Sequence, residues 1–203
     1  MPEAETATKH RRRLPQQARR EQLLACAIAV AARKGLGRTG HTEIAEAAGV
    51  STPTVFAYFP TRRDLIAAVI GEVDRFYTAL GQTHHSAGGD AIANLRHHLE
   101  GFTLSIDSDP DYAKVWLEWA ALVRNEDGLW DAFLDFQERM IKTVAAAIRL
   151  GQREGTISGK VSAADAARLV TASSYALAQL KFMERSPRMI RRYLDQVLEL
   201  TLR

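Results

Sequence analysis

Thr42-Glu43-Ile44-Ala45-Glu46-Ala47-Ala48-Gly49-Val50-Ser51-Thr52-Pro53-Thr54-Val55-Phe56-Ala57-Tyr58-Phe59 is the stretch that decides the fold. It reads as two short helices, 41–48 and 52–59, joined by a tight turn. Two helices that cross steeply approach each other through small side chains, and Ala45, Ala47 and Ala48 supply them. Gly49 permits the positive φ that the reversal needs. Val50 fills the angle between the helices. Ser51 is expected to cap the second helix, its hydroxyl accepting from the backbone N–H of Thr54. Ile44, Val55 and Phe59 are left to anchor the pair to the preceding helix. Thr52, Thr54, Ala57 and Tyr58 then face outward. Short hydroxyls at a helix N-terminus suit a DNA major groove, where that end meets base edges and phosphates. Arg62 and Arg63 follow at the start of the next helix, where cations oppose the helix dipole. A phosphate backbone nearby would explain their placement. Helical hairpins with glycine turns also occur inside ordinary helical proteins, so the surroundings of this one matter.

Upstream, Leu23, Leu24, Ala27, Ile28 and Ala31 recur on one face of a 3.6-residue period and predict a helix over 16–34, with Gly35 as its left-handed cap. Cys26 lies within it as a small, inert helix residue. Residues 1–15 read as a flexible arm carrying Lys9, His10, Arg11, Arg12 and Arg13, with no acid from Thr6 to Arg20. Such an arm is either a solvated tail or a segment that docks on phosphates or enters a minor groove. Charge is unevenly spread. Residues 1–65 hold 11 Lys and Arg against 6 Asp and Glu, a net of +5, and the remainder has a net of −2. A basic head on a slightly acidic body suits nucleic-acid binding.

Downstream the pattern is helical throughout, over about 62–85, 90–106, 110–124, 128–153, 162–184 and 187–202, with no useful β alternation and no repeat. The expected class is therefore all-α. In the last two helices Leu169, Val170, Ser173, Leu177 and Leu180, then Ile190, Leu194, Val197 and Leu198, form apolar faces suited to close helix packing, within the chain or against a second copy. Phe76, Tyr77, Trp116 and Trp119, joined by Phe133, Phe136 and Tyr175, make an aromatic cluster. It reads either as plain core or as an apolar ligand cavity with Gln137, Ser174 or Glu118 as polar handles. An enzyme built on the Trp116/Trp119 pocket is the alternative, but Glu118 is the only tempting carboxylate and lacks an evident partner. A purely protein-binding helical adaptor would leave the basic arm and residues 51–63 unexplained. The histidine pairs His84-His85 and His97-His98 diverge by about 100° on a helix and suit no metal. No phosphate-binding glycine loop, HExxH, GxSxG or CxxC is present, so no enzyme activity and no cofactor are expected.

Ile44-Ala45, Ala48-Gly49-Val50-Ser51 and Val55-Phe56-Ala57-Tyr58-Phe59, followed by Arg62 and Leu65, resemble the DNA-binding signature of the TetR family of transcription regulators. Gly35-Leu36-Gly37-Arg38, Gly40-His41, Thr54-Val55-Phe56 and Tyr58-Phe59-Pro60-Thr61-Arg62, with Lys114-Val115-Trp116-Leu117-Glu118-Trp119, further resemble the LuxR/HapR branch, the quorum-sensing master regulators of vibrios. The resemblance is dense over about 11–75, patchy at 112–136 and thin beyond. It implies a homodimer that binds an approximately palindromic double-stranded operator. The arm would be 1–15, the helix-turn-helix domain 16–62, and the helical ligand-binding and dimerisation domain 63–203. Arg11, Arg12 and Arg13 would lie in or along the minor groove, Ser51, Thr52, Thr54 and Tyr58 on bases or phosphates, and Arg62 on a phosphate. Thr42 counts with them as a candidate contact. A small apolar ligand could modulate the protein, and a ligand-independent regulator outside quorum sensing is the other form of this reading. The branch carries an Asn at the position of Ala57, and Ala57 offers a base edge only a methyl contact. Operator sequence therefore does not transfer. One cysteine, no apolar run of the roughly 20 residues that span a bilayer and no signal-peptide pattern point to a cytoplasmic protein with no membrane partner.

Overall fold

The computed structural model describes residues 14–85, 90–124, 128–183 and 186–202. Arg11, Arg12 and Arg13 lie outside the described residues. The order is α1 (Gln16–Lys34), a 3-10 turn (Leu36–Arg38), α2 (His41–Ala48), α3 (Thr52–Tyr58), α4 (Arg62–His85), α5 (Ala91–Ser108), α6 (Pro110–Val123), α7 (Leu129–Glu154), α8 (Ala163–Met183) and α9 (Pro187–Leu202). No strand occurs among the described residues. The expected helix boundaries agree with these to within about two residues, because the ends are written in local chemistry. Asp90 caps α5 by accepting from the Ile92 N–H at 3.1 Å. Pro110 opens α6, where its missing N–H costs nothing. At α4, Thr61 and Asp64 cap reciprocally: the Thr61 N–H donates to Asp64 Oδ2 at 3.0 Å and the Asp64 N–H to Thr61 Oγ1 at 3.1 Å. Asp64 thus offsets the two arginines beside it.

Two parts share one continuous core. The head is α1, α2 and α3. The body is α5 to α9, with α7 packed along α8 and α9 along α8. Helix α4 belongs to both, since it packs on α1 and also on α5, α6 and α7. Helix α6 is a second link, lying against α1 and the 3-10 turn. Cys26 is half-buried in α1, and burial pushes its thiol pKa up. No described helix is long and apolar enough to cross a membrane.

The last two helices divide their apolar residues differently from the faces read in the sequence. Val170 and Leu177 of α8, and Ile190, Leu194 and Leu198 of α9, are buried within the chain itself. A 3.6-residue period marks an apolar face without saying what covers it. Leu169, Met183, Met189 and Leu200 remain exposed, Leu200 by 86% and Met183 by 78%.

Candidate nucleic-acid interface

Helix α2 ends at Gly49 in the left-handed conformation, φ 62° and ψ 41°. The Val50 N–H closes back on the Ala45 carbonyl at 3.0 Å, which reverses the chain within two residues. Ile44, Ala45, Ala48, Val55 and Phe59 are all buried. The turn, the small-residue crossing and the anchor to α1 therefore form as the sequence dictates. Ser51 departs from expectation. It has the extended backbone of a cap, but its side chain caps no backbone N–H. Its hydroxyl meets the Thr54 hydroxyl at 2.8 Å, while the Thr54 N–H bonds the Ser51 carbonyl at 2.9 Å. The turn satisfies the amide by itself and leaves the two hydroxyls paired at the surface.

The outer side of α3 carries Ser51, Pro53, Phe56 and Ala57 exposed, with Thr52, Thr54 and Tyr58 half-buried. Thr42 is exposed on α2. Val50, Ser51, Thr54, Ala57 and Tyr58 line an open groove whose other wall is Leu14, Gln16 and Arg19 from the start of α1. Arg19 and Gln16 are residues the sequence reading missed. A basic residue in a first helical turn is a weak signal, and only the packing of α1 beside α3 brings it to this groove.

His41 is a second missed residue. It is buried, stacks on Phe56 with ring centroids 3.9 Å apart and planes 8° from parallel, and bonds the Phe59 carbonyl oxygen through Nε2 at 2.7 Å. Nε2 must carry the proton there, because a carbonyl only accepts. One side chain thus pins both the exposed ring of α3 and the end of that helix to the start of α2. No periodicity announces such a contact across 18 residues.

Arg62 is exposed and also reaches back to the loop before α2. Its Nη2 donates to the Gly37 carbonyl at 2.8 Å and lies 3.4 Å from that of Leu36. On the far side of this loop, the Leu36 N–H donates to Glu118 Oε2 of α6 at 2.6 Å. Glu118 therefore serves the head–body junction and does not line the cavity of the body. Gly35, which precedes the turn, sits at φ 93° and ψ 142°, a region open to glycine rather than the left-handed cap expected of it.

The aromatic residues of the body separate into two sets. Tyr77, Trp116, Gln137 and Ser174 line one cavity together with Gly81, His98, Phe102, Phe136 and Thr171. Tyr175 stacks on Trp116 at 3.9 Å and its hydroxyl accepts from Gln137 Nε2 at 2.5 Å. Trp119 packs instead against Phe133 and Phe136, and Phe76 against Tyr112, as plain core. The free cavity is about 30 Å³. That holds a water or two, which need about 10–15 Å³ each, and is far below the roughly 300–1,000 Å³ of ordinary ligand sites. The Trp116 Nε1 and Thr171 Oγ1 atoms are buried without a hydrogen-bond partner. Burial pushes the Tyr77 phenol pKa upward, partly offset by the Ser105 hydroxyl, and does the same for Tyr175, offset by Gln137. Both phenols are neutral at ordinary pH.

Comparison with known proteins bears on this geometry. Residues 23–69, which hold α2, α3 and their anchors, match the family described as bacterial regulatory proteins, tetR family. The HTH-type transcriptional regulator LuxR of Vibrio harveyi is 38% identical over 128 residues, 63% of this chain and 62% of its own length. The HTH-type transcriptional activator FasR of Mycolicibacterium smegmatis is 35% identical over 98 residues, 48% of this chain and 44% of its own. The chain thus aligns with less than two thirds of either relative. A TetR-like transcriptional regulator from Rhodococcus sp. RHA1 superposes with a TM-score of 0.75 at 20% identity, over 93% of this chain and 96% of that one, which speaks to the fold alone. Residues 23–69 are thus similar to the tetR family of bacterial regulatory proteins, and the helical architecture built on them has the fold of a TetR-like regulator.

Proposed function

We propose that the protein is a sequence-specific, DNA-binding transcriptional regulator that reads an approximately palindromic operator as a homodimer. The observation that carries this reading is the groove in which Ser51, Thr54, Ala57 and Tyr58 stand exposed or half-exposed beside Arg19, on a buried scaffold that holds them still. Hydroxyls and a phenol at a helix presented to solvent meet base edges and phosphates, and a neighbouring guanidinium neutralises the backbone. Arg11, Arg12 and Arg13 add phosphate or minor-groove contacts from the arm, and Thr42 and Thr52 flank the face. In this working division residues 16–62 form the reading head and residues 63–203 the dimerisation body. The dimer reading draws support from the uncovered apolar residues of α8 and α9, Leu169, Met183, Met189 and Leu200. Two heads must span half-sites about 34 Å apart.

Likeness to LuxR is the reason to look for a global regulator of the quorum-sensing type, and Ala57 is the reason not to transfer its operator. A small apolar ligand is the finer part of the proposal. It would displace water and spread the rings around Trp116, since the cavity as it stands is too small for one. The deciding test is selection of bound genomic fragments by purified full-length protein, with and without cell extract, followed by a salt titration. Affinity for the selected fragments should fall steeply as salt rises, and deletion of residues 1–13 should flatten that slope. Equal, weak binding to every fragment would overturn the reading.

A further inference from the structure

The loop between α1 and α2 is held from both sides. Arg62, at the start of α4, grips the Leu36 and Gly37 carbonyls. Glu118, in the middle of α6, takes the Leu36 N–H at 2.6 Å, a contact between residues 82 apart in sequence. Helix α6 is the body helix that carries Trp116 and Trp119 into the core, both almost wholly buried. Glu118 projects from its other side, exposed, toward the head. The fit is close at Gly37, where a side chain would meet Leu122 Cδ1 of α6 at 3.2 Å, while Gly35 beside it holds φ 93°. Gly37 therefore lets the head loop lie against α6.

We infer that Glu118 is a positioning residue for DNA reading, which fixes the angle between head and body and so sets the half-site spacing the dimer accepts. This rests on the DNA reading proposed above. Helix α4 packs on α1, and α6 packs on α1 and on the 3-10 turn, so the head rests on two helices of the body. The Glu118 contact ties the second of these to the Leu36 amide and limits how far the head can tilt. A shift of one base pair moves a half-site by about 3.4 Å and rotates it by about 35°. A head locked at one angle then loses base contacts, whereas a loosened head follows the groove. Glu118 does not line the α3 groove, so its loss should leave the reading face intact.

The test uses full-length protein and a duplex selected by the wild type, rebuilt with its half-sites one or two base pairs closer or farther apart, and a duplex carrying one half-site. The wild type should prefer its own spacing by about tenfold or more, the scale of a lost base contact. Glu118→Ala should cut that preference to about threefold or less while binding the single half-site as the wild type does. Glu118→Gln, which keeps an oxygen to accept from Leu36, should retain most of the preference. Thermal melts of both variants report whether they are folded, as expected for an exposed site. An unchanged spacing preference in Glu118→Ala overturns the inference. So does an equal loss on one half-site and two, which would put Glu118's effect inside the head. If the wild type binds no selected duplex above background, the DNA reading itself fails and this inference with it.

Discussion

The head and the body spend their aromatic and polar residues in opposite ways. In the head, Phe56 is 46% exposed and is held by a buried histidine, while Thr54 and Tyr58 reach the surface from a helix whose inner side is Val55. In the body, Trp119 is 0% and Trp116 3% exposed, and their indole nitrogens find no partner. The head fixes chemistry at its surface by burying what lies beneath it. The body buries the chemistry itself. Substitutions on the head's surface should therefore change what is bound at little cost in stability, and substitutions in the body should do the reverse.

The largest expected effect is in the body. Trp119→Ala leaves a hole among Phe133, Phe136 and their neighbours, and should cost about 3–5 kcal/mol of stability in urea unfolding. A loss below about 1 kcal/mol would mean the body is loosely packed around it. His41→Ala blurs the contrast, because it is a buried residue serving an exposed one. Removing the stack on Phe56 and the bond to the Phe59 carbonyl should cost about 1–3 kcal/mol and weaken operator binding as well. Normal binding with reduced stability would show that Phe56 needs no support to read DNA.

Smaller effects follow on each side. Thr54→Ala should reduce operator affinity about tenfold in a gel shift, the scale of one lost base or phosphate contact. Its melting curve should hardly move, since Thr54 is half-buried and its hydroxyl meets that of Ser51 at the surface. Full affinity would move the reading face elsewhere. In the body, Tyr77 and Tyr175 have phenol pKa values raised above the ordinary 10.0 by burial. The folded state then holds a proton that the unfolded chain releases. Their contribution is complete below the unfolded pKa and is lost as pH rises from there toward the folded values. Above pH 10 stability should fall by up to about 1.4 kcal/mol per pH unit for each tyrosine, and Tyr77→Phe or Tyr175→Phe should flatten that fall. A flat alkaline limb in the wild type would place both phenols in water.

Much of the head was legible because its determinants are local. Gly49 makes its turn with the residues on either side, Ala45 and Ala48 lie one helical turn apart, and Thr61 caps with Asp64 three residues on. Ser51 shows the limit even there: its backbone is that of a cap, but its hydroxyl chose a neighbouring hydroxyl over an amide that the turn had already satisfied. Arg62 shows it more plainly. A basic residue after a short outward helix reads as a phosphate contact, and its bonds to the Leu36 and Gly37 carbonyls could not be read from spacing at all.

The body was legible as helices and little else. Phe76, Tyr77, Trp116, Trp119, Phe133, Phe136 and Tyr175 formed one cluster by composition, but a cavity depends on which rings meet. Tyr112 draws Phe76 aside and Phe133 takes Trp119, leaving Tyr77 and Trp116 at the cavity with Tyr175 stacked behind Trp116.

By itself the sequence determined the helices, their ends and the helix-turn-helix, and placed Ala57 on the outer side of α3 without Pro53 and Phe56, which are exposed there too. Each of these follows from hydrogen bonds and side-chain spacing within a few residues, where chain connectivity supplies the proximity. Only the tertiary structure decided which residues share a contact across many: Arg19 with the α3 groove, His41 with Phe59, Glu118 with the Leu36 amide, and which side of α8 and α9 is left uncovered. These depend on how helices rotate and slide against one another to close a packed core, a choice made by the whole chain at once and encoded in no single stretch of it.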